Sequence, residues 1–159
     1  MLDLLAFPDH SRVWIYSSDQ EIPDHSIPEI HQKIQAFAKN WLSHGSGLKA
    51  TGGILHNYFI VLLVDEISNK PGGCSIDTSV KFIQSIGEKY HVNFFNRRIF
   101  HYIENEMVKS IEQEKLKQSL DSNLINEESL FFDPLVDTKI KFIKNWLNPL
   151  KDSWHKKLI

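Results

Sequence analysis

The stretch Leu48-Lys-Ala-Thr-Gly-Gly-Ile-Leu-His-Asn-Tyr-Phe-Ile-Val-Leu-Leu-Val64 decides how the chain folds. Its second half, Tyr58–Val64, is apolar almost throughout, which reads as a central strand buried on both faces. Its first half, Leu48–Leu55, is separated from the second by His56-Asn57, a two-residue hairpin connection. Gly52-Gly53 inside the first half marks a bulge or a close approach of another backbone. Asp65-Glu66 ends the apolar run, and Ser68-Asn-Lys-Pro-Gly-Gly73 is a loop by composition.

Upstream of the hairpin, Arg12-Val-Trp-Ile-Tyr16 is a β-branched and aromatic strand with a polar exit, Ser17-Ser-Asp19. Ser26-Ile-Pro-Glu29 matches a capping box, with Pro28 tolerated in the first helical turn. Ile27, Ile30, Ile34, Phe37, Ala38 and Trp41 follow at helical spacing, and Gly45 offers a helix stop. Downstream, a second helix is expected to start near Ser75 or Asp77, burying Ile76, Val80, Ile83 and Tyr90, before a strand over Phe94–Ile103. The order β-α-β-β-α-β over residues 10–103 predicts an α+β, ferredoxin-like antiparallel sheet core with both helices on one face.

Residues 104–159 then form a C-terminal extension. It holds an extra hairpin turning at Asn105-Glu106 into Met107–Ile111, and a short helix at Leu116 and Leu120. A strand at Leu130–Phe132 and a tail, Pro149–His155, docked through its aromatic residue complete it. Residues 137–147 fit a helix through Ile140, Ile143 and Trp146, and equally a strand through Ile140 and Phe142. With 159 residues the chain matches a prior of about one domain, spanning 1–159.

Hydrophobic residues at 42% and charged residues at 24% are those of a globular domain. A net charge of -2 is a poor basis for binding phosphates, so nucleic acid is an unexpected partner. The charge is unevenly spread: residues 104–133 hold eight acids and three lysines, and residues 134–159 six lysines and two aspartates. Two faces that attract each other explain this most simply. A single cysteine, a start without a signal-peptide pattern and no run long enough to span a membrane lead us to expect a cytoplasmic protein.

The stretch with most chemical promise is Pro71-Gly-Gly-Cys-Ser-Ile-Asp-Thr78. Gly72 and Gly73 allow close backbone approach, and a helix N-terminus offers free N–H groups to an anion, with Ser75 beside them. A thiol at that position is a candidate nucleophile, Cys74, with His56 as base and Asp65 or Asp77 as orienter. Trp154 and His155 on the docked tail are candidates to cap a pocket. Eight histidines form no H-x-x-x-H pair and one cysteine makes no zinc spacing, so no metal and no cofactor is expected. Trp14, Tyr16, Tyr58 and Phe59 suggest a stacking platform for RNA, although a buried aromatic core explains them better.

Ser11-Arg-Val-Trp-Ile-Tyr16, Leu55-His-Asn57 with Val64-Asp-Glu66, Gly73-Cys-Ser-Ile-Asp77 and Asp152-Ser-Trp-His155 together resemble blocks of an uncharacterised bacterial family, some of whose members carry the label "ABC transporter ATPase". Phe59–Glu66 is similar to a Walker B strand. A phosphate cradle, G-x-x-x-x-G-K-[ST], is needed beside it, and Gly45-Ser-Gly-Leu-Lys49 followed by Ala50 has the wrong spacing. The sequence therefore points away from a P-loop ATPase. The leading expectation is a small binding or interaction module without catalytic activity, for a small molecule or protein. A homodimer paired through an exposed edge strand is one form of that. The alternative is a small thiol-dependent enzyme using Cys74 and His56.

Overall fold

The computed structural model describes residues 2–159, a mixed α+β fold with three antiparallel sheets. In chain order the elements are β1 (Arg12–Ser17), α1 (Ile27–Asn40), β2 (Leu42–Ser43), β3 (Ser46–Gly47), β4 (Lys49–Leu55), β5 (Phe59–Asp65) and α2 (Gly73–Tyr90). They continue with β6 (Ile99–Glu104), β7 (Met107–Glu112), α3 (Leu116–Asp121), β8 (Leu130–Phe132), α4 (Lys139–Asn145) and β9 (Leu147–Pro149). Residues 137–147 thus resolve mainly as helix, with Phe142 turned into the core and Thr138 capping its start through Lys141 N–H.

The β4–β5 hairpin pairs residue for residue from Lys49↔Asp65 to Leu55↔Phe59, so Gly52-Gly53 is not a bulge. It is a close approach. A Cβ at Gly52 would stand 2.8 Å from the Ile34 side chain, the Leu62 side chain and the Val61 carbonyl. Helix α1 lies directly on this strand, and the Gln35 amide donates to the Gly52 carbonyl. At the tip His56 and Asn57 both take positive φ, 54° and 60°, and Tyr58 N–H closes on the Leu55 carbonyl; with Leu55 paired to Phe59 the loop is one residue longer than the two-residue connection expected.

All seven residues of β5 are buried. Alternation sends Ile60, Leu62 and Val64 into a core with Ile30 and Ile34 of α1 and Ile83 and Ile86 of α2. Phe59, Val61 and Leu63 enter a second core with Phe132, Phe142 and Trp146. One sheet therefore has two covers: helices on one side, the C-terminal third of the chain on the other.

That second cover corrects the ferredoxin-like expectation. The order β1-β5-β4, all antiparallel, follows the split arrangement, but β6 does not complete it as a fourth strand. It joins a separate sheet, β7-β6-β8-β9. The free edge of β1 is instead engaged at its start by residues 137–139. Val13 N–H donates to the Asp137 carbonyl, and Lys139 N–H to that of Ser11. The physical cause is the second apolar face of β5, which a single layer of helices leaves bare. The second sheet docks on it through His101, whose ring lies 5.0 Å from Tyr58 and 5.2 Å from Phe59. His101 Nε2 meets the Ser18 carbonyl at 2.9 Å. The outer face of this sheet, Phe100, Tyr102, Ile111 and Phe131, is covered by Leu116, Ile125 and Leu150.

Three local expectations also change. Gly45 is not the stop of α1, which ends at Asn40 with Trp41 extended; with His44 it makes the turn of the β2–β3 hairpin, φ 53° and 78°. Ser26 makes no side-chain cap, because a 3-10 turn at Asp24–Ser26 leads straight into α1, and Glu29 pairs outward with Lys89 at 2.5 Å. Helix α2 starts two residues early, so Ser75 sits in its first turn and its buried stripe is Ser75, Ser79, Ile83, Ile86 and Gly87. Small serines suit that face because the indole of Trp41 crowds it, donating to the Ser75 carbonyl at 2.9 Å.

Gly52→Ala is expected to cost about 1–3 kcal/mol by overpacking between α1 and β5, whereas Gly47→Ala, with nothing within 4 Å of its added Cβ, stays near wild type. Urea unfolding of the two variants checks this; equal stabilities would refute the close seat of α1.

Candidate functional site

Cys74 lies where the sequence places it, exposed in the first turn of α2. Around it Gly72 N–H is already taken by the Ser75 hydroxyl at 3.1 Å, and the Gly72 carbonyl accepts from Ile76. Gly72 is the N-cap, Gly73 opens the helix with free space around it, and Asp77 points to solvent in the next turn. His56 is elsewhere. It caps the opposite end of β5, about seven residues or roughly 20 Å of strand away, on the sheet face turned from α2. There its ring rests on Phe132 and Trp146 at 5.5 and 5.9 Å, and burial lowers its pKa. The expected nucleophile–base pair of Cys74 and His56 is not formed, because β5 separates its members lengthwise and α2 packs on the other face.

The tail docks, and it closes its own site. Trp154 Nε1 donates to Asp133 at 3.0 Å and stacks on His155 at 3.9 Å. His155 is fully buried between Phe100 and Phe131. These two residues therefore anchor the chain end rather than cap a pocket. Ser153 Oγ lies 2.6 Å from His155 Nδ1, a separation that would suit nucleophile and base. Here the same hydroxyl caps the final 3-10 helix by accepting from His155 N–H, and both residues are buried. The contact is a buried joint of the tail. The acidic and basic halves of the extension meet as expected: Lys151 pairs with Glu128 at 2.6 Å, and Lys156 pairs with Glu127.

Asp65 and Glu66, the Walker-like pair, are tied to cations of neighbouring strands, Lys49 at 3.5 Å and Arg12 at 3.6 Å. Residues 45–49 form a hairpin and the start of β4, where a phosphate loop would have to lead into a helix. The aromatic platform is closed. Tyr58 and Phe59 are buried under the second sheet, and Trp14 and Tyr16 face the helices. Among the described residues no group of three or more His, Cys, Asp or Glu side chains is placed to hold a metal ion, and no helix is long and apolar enough to cross a membrane.

An open cleft of about 660 Å³ lies at the other end of α2. Ile83, Gly87 and Phe94 give it an apolar floor, and Asp19, Gln84 and Glu88 stand on its walls. Its shape follows from how α2 stops. His91 adopts the left-handed conformation, φ 58°, and Val92 N–H returns to the Gly87 carbonyl. A Cβ on Gly87 would stand 2.7 Å from the Val92 carbonyl, so glycine is required for the return. Asp19 and Asn93 then clamp the rim reciprocally: Asp19 N–H to the Asn93 carbonyl at 2.9 Å, Asn93 N–H to the Asp19 carboxylate at 2.8 Å. Phe95, 40% exposed, stands at the mouth with its ring 5.9 Å from Tyr16. None of these residues was singled out from the sequence as part of a site; Ile83 was expected only on the buried face of α2. The one available signal was an aromatic pair inside the polar run Asn93–Arg98. No family model, no curated protein and no solved structure matches the chain.

Burial holds both His101 and His155 neutral, each pushed down to about 4 from 6.5. The unfolded chain then binds more protons between about pH 6.5 and 4, so stability present above that window is lost as pH falls through it, by up to about 3 kcal/mol per ring. Urea midpoints across pH 4–7 should fall accordingly, and His155→Phe should flatten the slope; an unchanged slope would remove His155 from the account. Cys74→Ser should leave stability within about 0.5 kcal/mol, and native protein should react with a thiol probe without unfolding. A thiol that reacts only in denaturant would contradict its exposed position.

Proposed function

We propose that this chain is a binding module without catalytic activity, and that the cleft at the C-terminal end of α2 is its ligand site. The supporting observation is the cleft itself: a concavity within the 300–1,000 Å³ typical of ligand pockets, apolar at its base and polar on its walls. Its rim is made by two loops clamped to each other through Asp19 and Asn93, which lowers the ordering entropy that opposes binding. The separation of Cys74 from His56 weighs on the same side. We place the protein in the cytoplasm on its single cysteine, and in the uncharacterised bacterial family on the four sequence blocks it resembles.

A fragment screen followed by nitrogen–proton correlation NMR on the full chain tests the reading. Ligands should move the amides of Gly87 and Val92–Phe95. Gln84→Trp, an exposed position on the cleft wall, should weaken them about tenfold by filling the space. Fragments that map to Gly72–Ser75 or to the hairpin tip, and ignore the Gln84 variant, would overturn it.

A further inference from the structure

The cleft has a sign. Its titratable walls are Asp19 from the loop after β1, Glu88 from α2 and His91 from the end of that helix, and its lining contains neither Lys nor Arg. The cations next to it in sequence are held elsewhere: Lys89 turns away to Glu29, and Arg98 pairs with Glu114. Arg97 lies beyond Phe95, outside the lining. Asp19 spends one oxygen on Asn93 N–H and keeps the other, and Glu88 is exposed. Two carboxylates over a low-dielectric floor focus a negative potential into the concavity. At its mouth Phe95 presents an exposed ring, whose face attracts a cation and whose area attracts an apolar group.

We propose that the cleft selects a small organic cation, an ammonium or guanidinium group on an apolar body, with the charge met by Asp19 and Glu88 and the body laid against Phe95 and Val92. This deepens the reading of the cleft as the ligand site and rests on it. An anion is disfavoured by the same two carboxylates. A neutral isostere gains the apolar contact only, and leaves the carboxylates hydrated or partly stripped of water without compensation. The mixed wall, with Gln20 and Gln84 beside the acids, adds carbonyl acceptors for the remaining N–H groups of such a cation.

Three probes of one shape separate the possibilities: phenethylammonium, phenethyl alcohol and phenylacetate, titrated into the full chain and read from the amides of Gly87 and Val92–Phe95. The ammonium should bind about tenfold more tightly than the alcohol, and its affinity should drop as salt is raised. Glu88→Gln should weaken the ammonium about three- to tenfold and leave the alcohol unchanged. Asp19→Asn, which keeps an acceptor for Asn93 N–H, should act in the same direction, with the dispersion of the spectrum reporting that the fold is intact. If alcohol and ammonium bind the cleft equally, or the carboxylate binds best, charge selection is wrong while the ligand site stands. If none of the three moves these amides at millimolar concentration and other fragments also avoid them, the ligand site and the proposal fall together.

Discussion

Seven consecutive buried residues in β5 impose a demand that the rest of the molecule answers. An alternating strand with one wet face needs one cover. Phe59–Asp65 has no wet face, and each fully buried aliphatic or aromatic side chain is worth about 1.5–3 kcal/mol only if something apolar lies over it. Helices α1 and α2 satisfy Ile60, Leu62 and Val64. They cannot reach Phe59, Val61 and Leu63, so a second layer is obligatory, and the chain after α2 supplies it. Residues 104–159 are thus not an appendage to a finished core. With Phe7 from the N-terminal side they form the second cover that the central strand requires.

This explains which parts of the architecture were legible. The β4–β5 hairpin, its His56-Asn57 turn, the stripe of α1 and the turn at Asn105-Glu106 all rest on interactions within a few residues, which a local pattern reports. The destination of β6 rests on a comparison between two sheet faces, and no window around Ile99–Glu104 contains that comparison. The apolar run at Tyr58–Val64 did contain it, because a strand buried on both sides excludes a layer that covers one. The offset in α2 has a different origin. Ile76 and Val80 are the more hydrophobic residues, yet Ser75 and Ser79 take the buried positions because Trp41 and Tyr16 already fill the space there. Local hydroxyl bonds, Ser75 to Gly72 N–H and Ser79 to the Ile76 carbonyl, remove the cost of burying them.

The site shows the same division. Glycines before a cysteine at a helix start form a pattern that sequence can display, and the structure puts Cys74 at such a start. Whether a base stands beside it is a question about the two ends of β5, and His56 belongs to the wrong end. The cleft is the reverse case. Asp19, Gln84, Glu88 and Phe95 come from three segments, and none of those segments carries a motif. What joins them is the clamp between Asp19 and Asn93 and the sharp return over Gly87, and both are contacts between residues distant in sequence or masked as an ordinary helix end.

Two-sided burial also limits where function can reside. A sheet that offers one open face can read bases, bind a partner strand against it or hold a ligand on it. Here the helices occupy one face of β1-β5-β4 and the second sheet occupies the other, so aromatic residues that would serve as a platform, Tyr58 and Phe59, serve as filling. The remaining concave surface must come from the places where layers end and the chain turns: helix termini and the loops between layers. At the start of α2 the N–H of the N-cap Gly72 is already spent on the Ser75 hydroxyl. The far end of the helix is where the loop after β1 and the loop into β6 converge, and the reciprocal bonds of Asp19 and Asn93 tie them together along the rim of the cleft. The cover that β5 requires is therefore also the reason that recognition is moved to the rim.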